Sequence, residues 1–178
     1  LRLEDFRLAA QDVYDFFHDV NASLTARGLE RLDDMLRPAI MSGLLSDMLT
    51  ASLAKHSRTL VVNAYFNGHP DLVVKGRYAD NAVKAGEFGV EIKTTRKAGG
   101  AVDTHGARDQ WMCVFVYAVD VATEPAVERR AMHADDVGIA QGLVSARLHA
   151  GPHRALIGGK WRGPQGLAAE QNEGIAVA

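Results

Sequence analysis

A single cysteine in 178 residues, Cys113, excludes an internal disulfide and any cysteine-rich zinc site. It lies in the apolar run WMCVFVYAV and reads as a small buried hydrophobe. No apolar run approaches the length of a membrane span, and the opening LRLEDFRLAAQ lacks the basic-then-apolar order of a signal peptide. The expectation is therefore a cytoplasmic protein with no membrane partner. The first residue is Leu1 rather than Met, so a trimmed chain with room for a preceding segment is also expected. Internal repeats, a P-loop and a G-x-G-x-x-G pattern are all missing. A surplus of positive charge is missing too: 20 Lys and Arg stand against 22 Asp and Glu, for a formal charge of -2 and a pI near 6.4. That balance lacks the global basic signature of many nucleic-acid binders.

What remains is ordinary globular composition, 47% hydrophobic and 24% charged, enough for one substantial core. A single domain over residues 1–178 is expected, with a helical N-terminal region to about 57, a sheet over about 58–150 and a basic tail over about 151–178. From Leu3 to Leu24, apolar residues at Leu3, Phe6, Ala10, Val13, Phe17 and Val20 recur at steps of three and four, the mark of an amphipathic helix. Gly28 ends it, a short helix follows through Leu36, and Pro38 restarts the chain for a helix over roughly Ala39 to Lys55. Thr59 to Phe66 reads as a strand turned back at Asn67-Gly68. Trp111 to Val119 reads as another strand, Val127 to His133 as a fifth, and Ala134 to Leu148 as a helix begun by Asp135 and Asp136. The fold class expected is α/β.

The stretch from His69 to Thr95, HPDLVVKGRYADNAVKAGEFGVEIKTT, carries the most chemistry. Leu72, Val73 and Val74 form one β-rich run. Val90, Ile92 and Thr94 alternate with Glu91, Lys93 and Thr95 in a second, and the polar loop Asp80 to Gly86 lies between. An antiparallel hairpin centred near Ala82 sets Asp71 beside Glu91 and Lys93. Glu91 and Lys93 share one face, while Val90, Ile92 and Thr94 point to a core. Unpaired charge in an apolar neighbourhood is costly, and a divalent cation is one remedy. Mg²⁺ takes oxygen ligands, commonly one or two carboxylates plus substrate phosphate and water. Asp71, Glu91 and the Ile92 carbonyl are the candidate ligands, and Lys93 is the candidate for orienting or deprotonating a water and offsetting charge on the attacked phosphate. The same charges also allow a plain salt bridge of Lys93 with Asp71 or Glu91 on a solvated face.

Pro70-Asp71 followed, after a spacer, by Glu91-Ile92-Lys93, each half in a strand, resembles the PD-(D/E)xK phosphodiesterase superfamily, which includes many type II restriction endonucleases. The resemblance spans roughly residues 40–135. It implies a restriction-endonuclease-like fold, a central mixed β-sheet flanked by helices. It implies a Mg²⁺-dependent DNA endonuclease, with Mn²⁺ as a substitute, acting on double-stranded DNA through Asp71, Glu91 and Lys93. Type II restriction is the favoured form, with a homodimer matching a palindromic site. A structure-specific repair or recombination nuclease and a non-catalytic DNA-binding module of the same fold are the alternatives.

Relatives in that superfamily often carry a further acid on the helix before the first core strand. Asp47 is the candidate here, with Glu30, Asp33 and Asp34 as competitors. Some exonuclease relatives carry Q-x-x-x-Y; here Gln110 is followed four places on by Val114, so that motif is absent. Arg96, Lys97, Arg108, Lys160 and Arg162 are candidate DNA-phosphate contacts. His105 is a candidate for catalysis or substrate binding, or a surface residue, and Asn63 is placed to approach substrate.

Overall fold

The computed structural model describes residues 1–96, 111–141, 146–149 and 154–155; beyond residue 134 it describes the backbone alone. The N-terminal helix α1 spans Leu3–Thr25 and buries Phe6, Ala9, Val13 and Phe17 on one stripe. Its first turn is closed by the Arg2 main-chain N–H, which donates to Asp5 Oδ2 at 2.8 Å. A single turn, α2, spans Leu32–Met35. Helix α3 runs Pro38–His56, with Pro38 at a first-turn position where no N–H is needed, and buries Met41, Leu45, Leu49, Ser52 and Leu53. The two long helices pack on each other and are also clamped by Asp12, which accepts from Ser52 Oγ at 2.5 Å, Lys55 Nζ at 2.9 Å and His56 Nε2 at 2.8 Å.

Among the described residues, seven strands follow in one mixed sheet whose spatial order equals their chain order. These are β1 (Leu60–Val62), β2 (Leu72–Val74), β3 (Gly89–Thr95), β4 (Trp111–Ala118), β5 (His133–Gln141), β6 (Ala146–His149) and β7 (Arg154–Ala155). β1, β2 and β3 form an antiparallel meander, β4 joins β3 in parallel, and the remaining pairs are antiparallel. Helices with a mixed sheet place the chain in the α/β class.

The helices cover one face of this sheet. Leu60, Leu72, Ile92, Cys113 and Phe115 pack with Phe6, Val13, Phe17, Leu45 and Leu49 in one apolar cluster, and Ser42 Oγ meets Thr94 Oγ1 at 2.6 Å. Ile92 pairs with Cys113, and Thr94 with Phe115, so the even positions of β3 face the helices. Burial of a side chain such as Ile92 contributes about 1.5–3 kcal/mol, which fixes the register of β3 and sends Glu91 and Lys93 to the opposite face.

Three expected elements differ. The strand expected over Thr59 to Phe66 stops at Val62, because the Asn63 side chain turns the chain there by accepting from the N–H of Tyr65 and of Val83. The segment expected as a strand from Val127 to His133 is a 3₁₀ turn, Ala126–Glu128, and then an extended approach; pairing starts only at His133. Its backbone groups find their partners elsewhere. Buried Arg31 donates to the carbonyls of Arg129 and Arg130 at 2.7 and 3.0 Å, and Asp33 accepts from Met132 N–H at 3.0 Å. The helix expected over Ala134 to Leu148 is instead β5 and β6. The open edge of β4 pairs with β5 along its whole length, and Val137 and Ile139 alternate with Gly138 and Ala140 as a strand requires.

Candidate active site

The β2–β3 register sets Leu72 opposite Val90 and Val73 opposite Gly89, so its next step sets Asp71 opposite Glu91. The ladder does not continue through Asp71. Pro70 precedes it without an N–H, and the Asp71 carboxylate takes over the sheet bond: Oδ2 accepts from the Ile92 N–H at 2.7 Å. In an extended strand one residue's N–H and C=O point towards the same neighbour. The Ile92 carbonyl therefore points to the side where Asp71 lies.

Glu91 is 2% exposed and is bracketed by two basic side chains. Lys93 Nζ lies 2.8 Å from Oε1, and His69 Nδ1 lies 3.3 Å from Oε2. A Lys93–Glu91 salt bridge is thus present, but on a covered face rather than a solvated one. Paired Met112 and neighbouring Val73 are buried on that face with it. The Asp71 carboxyl is pushed up to about 6, first by burial and then by the charge of Glu91; the Ile92 N–H, Lys93 and His69 oppose the rise without cancelling it. Burial sets most of that rise, and the Glu91 carboxylate adds to it.

The raised pKa has a stability consequence. Because the folded pKa stands above the ordinary 3.8, the contribution of Asp71 is present below about pH 4 and is lost as pH rises through 6. Asp71→Asn, which keeps an acceptor for the Ile92 N–H, is expected to stabilise the metal-free protein at pH 8 by up to about 3 kcal/mol, and to make little difference below pH 4. Urea denaturation in a chelator at the two pH values checks this. A variant less stable than wild type at pH 8 would contradict the picture.

Among the described residues, no group of three or more His, Cys, Asp and Glu side chains is arranged to hold a metal ion. The candidate donors remain Asp71, Glu91 and the Ile92 carbonyl, all oxygen and of the number with which Mg²⁺ is commonly held when water and phosphate complete its shell. A cation beside Asp71 would offset the repulsion between its carboxylate and that of Glu91.

The other candidates are scattered. Asp47 is exposed on α3, which packs on the opposite, Ile92 face; it does not lie on the inward edge of its helix as expected. Of its competitors, Glu30 is exposed, Asp33 is consumed by Arg31, Asn21 and Met132, and Asp34 pairs with Arg129 at 3.0 Å. Arg96 is exposed just beyond β3, and its charge acts on Tyr117 of the helix-covered face. Lys97, Arg108, His105, Gln110, Lys160 and Arg162 lie outside the described residues. Asn63 joins the loops ahead of Asp71: its Nδ2 donates to the carbonyls of Pro70 and Val83 at 2.9 and 2.8 Å. His69 is the site residue that sequence reasoning missed. Its only signal is its place directly ahead of Pro70-Asp71.

Compared with known proteins, the chain matches no family model, no curated protein and no solved structure. No helix among the described residues is long and apolar enough to cross a membrane.

Proposed function

We propose that the protein is a metal-dependent DNA endonuclease of the PD-(D/E)xK type, with a restriction-endonuclease-like core and Asp71, Glu91 and Lys93 as its catalytic residues. The observation that carries this reading is the convergence of those three side chains on one covered sheet face, with Asp71 held at a raised pKa of about 6. Perturbed carboxylates of this kind concentrate at functional sites. The antiparallel meander followed by a parallel strand supports the same core.

Asp71, Glu91 and the Ile92 carbonyl would hold Mg²⁺, with Mn²⁺ as a substitute. When bound, the ion supplies Lewis-acid polarisation of the scissile phosphate. Lys93, 20% exposed and oriented by Glu91, reaches the phosphate and the water that attacks in line; its ammonium donates to a non-bridging oxygen and offsets the charge that grows there. Asp71 holds one oxygen on the Ile92 N–H, and the other would be its metal ligand. Type II restriction by a homodimer on double-stranded DNA inside the cell is the favoured form, since two symmetric sites cut both strands of a palindrome.

Incubation with plasmid DNA and Mg²⁺ tests the proposal. Discrete fragments are the expected result. Smears or cutting confined to junctions would point to a structure-specific nuclease, and intact plasmid with binding retained would leave a non-catalytic DNA-binding module.

A further inference from the structure

The turn between β1 and β2 holds two aromatic side chains in solvent: Tyr65 is 44% exposed and Phe66 87%, the largest exposure given for any large apolar side chain among the described residues. Single exposed apolar groups are common and need no role. This pair differs in how firmly it is presented. Gly68 N–H donates to the Tyr65 carbonyl at 2.9 Å, Tyr65 N–H to Asn63 Oδ1 at 3.0 Å, and Ala64 N–H to the Asn81 carbonyl at 3.0 Å. Asn67 adopts a left-handed φ of 54°, and a Cβ at Gly68 would collide with the Val83 carbonyl and the Asn63 amide. The turn is thus fastened to the β2–β3 loop while the Phe66 ring is left uncovered.

The turn also leads straight into the candidate active site. Phe66 precedes Asp71 by five positions (71 less 66), which limits the distance between their Cα atoms to about 18 Å, however the chain runs. On DNA that is about five base steps. The chain from Thr59 to Pro70 contains no Asp or Glu, and the adjoining loop carries exposed Lys75, Arg77 and Lys84 against Asp80 and Glu87; the Lys84 carbonyl accepts from the His69 N–H at 3.1 Å. A phosphate backbone passing from the ring to the carboxylates meets no repelling charge on that turn.

We propose that Phe66, flanked by Tyr65, stacks on an unstacked DNA base within about five steps of the scissile phosphate. The proposal rests on the nuclease reading. An aromatic face is accepted by every base, so this contact anchors and distorts DNA without reading its sequence, and a ring pressed between base steps kinks a duplex.

The test uses the full chain and an oligonucleotide carrying 2-aminopurine, with Ca²⁺ in place of Mg²⁺ to prevent cutting. Binding by wild type should change the probe's emission when it lies near the ring, since the base leaves its duplex stack. Phe66→Ala should weaken DNA binding about ten- to a hundred-fold and remove that change, while Phe66→Trp rescues both and Mn²⁺ binding stays unchanged. Phe66 is so exposed that neither substitution threatens folding. Equal affinity and an equal change of emission in Phe66→Ala would overturn the proposal while leaving the nuclease reading intact. No DNA binding by wild type would overturn both. Loss of a dimer in sedimentation, with DNA affinity per subunit retained, would overturn it in favour of contact with a second copy.

Discussion

Glu91→Ala is expected to abolish divalent-metal binding and to lower single-turnover DNA cleavage at least about a thousand-fold. Glu91 does three things at once: it supplies a carboxylate opposite Asp71, it holds Lys93 at 2.8 Å, and it meets His69 at 3.3 Å. Its removal also takes away the neighbouring negative charge that helps to raise the Asp71 carboxyl, so Asp71 should titrate lower than about 6 in the variant. Calorimetry with Mn²⁺, single-turnover cleavage and carboxyl NMR read these effects separately. Unchanged metal affinity would remove Glu91 from the ligand set. Unchanged titration of Asp71 would mean that the two carboxylates do not share a site.

Lys93→Met, which keeps most of the apolar stem and removes the ammonium, is expected to leave DNA binding within a few-fold of wild type and to lower the cleavage rate about 10²–10³-fold. The separation follows from geometry. Lys93 is one half-buried cation directed by Glu91, not part of an exposed basic surface, so under the proposed function its charge would act on the attacked phosphate rather than on the length of the DNA. Binding measured in Ca²⁺ and single-turnover cleavage in Mg²⁺ distinguish the two roles. A normal rate would make Lys93 only the counter-ion of Glu91, and loss of DNA binding would make it an electrostatic anchor.

The placement of this cluster was legible in the sequence because two periodicities agreed. Apolar residues at alternate positions of β3 fix which face enters the core, and the spacing from Pro70-Asp71 to Glu91 fixes the pairing; the observed register follows that pattern. The long helices were legible from their three- and four-residue steps, and Cys113 from its apolar run. What escaped depends on partners distant in the chain. ADDVGIAQ carries acids where a helix would start, yet the unpaired edge of β4 makes it a strand. The approach to β5 lost its expected pairing to Arg31 and Asp33, which lie far earlier in the sequence. His69 and Asn63 gave little sign of their roles, since each acts through contacts that exist only once two loops have been brought together. Asp47 misled because a helix edge read from sequence fixes neither its rotation nor the sheet face on which it packs.

The central claim is that Asp71 and Glu91 jointly hold one divalent cation, and calorimetric titration of Mn²⁺ into wild type and Asp71→Asn across pH tests it most directly. A proton on Asp71 competes with the metal, so wild-type affinity should be constant well above pH 6 and fall about tenfold per unit below it, with proton release on binding. Asp71→Asn should show no binding at that site at any pH. Binding that ignores pH, or that survives in Asp71→Asn, would contradict the account.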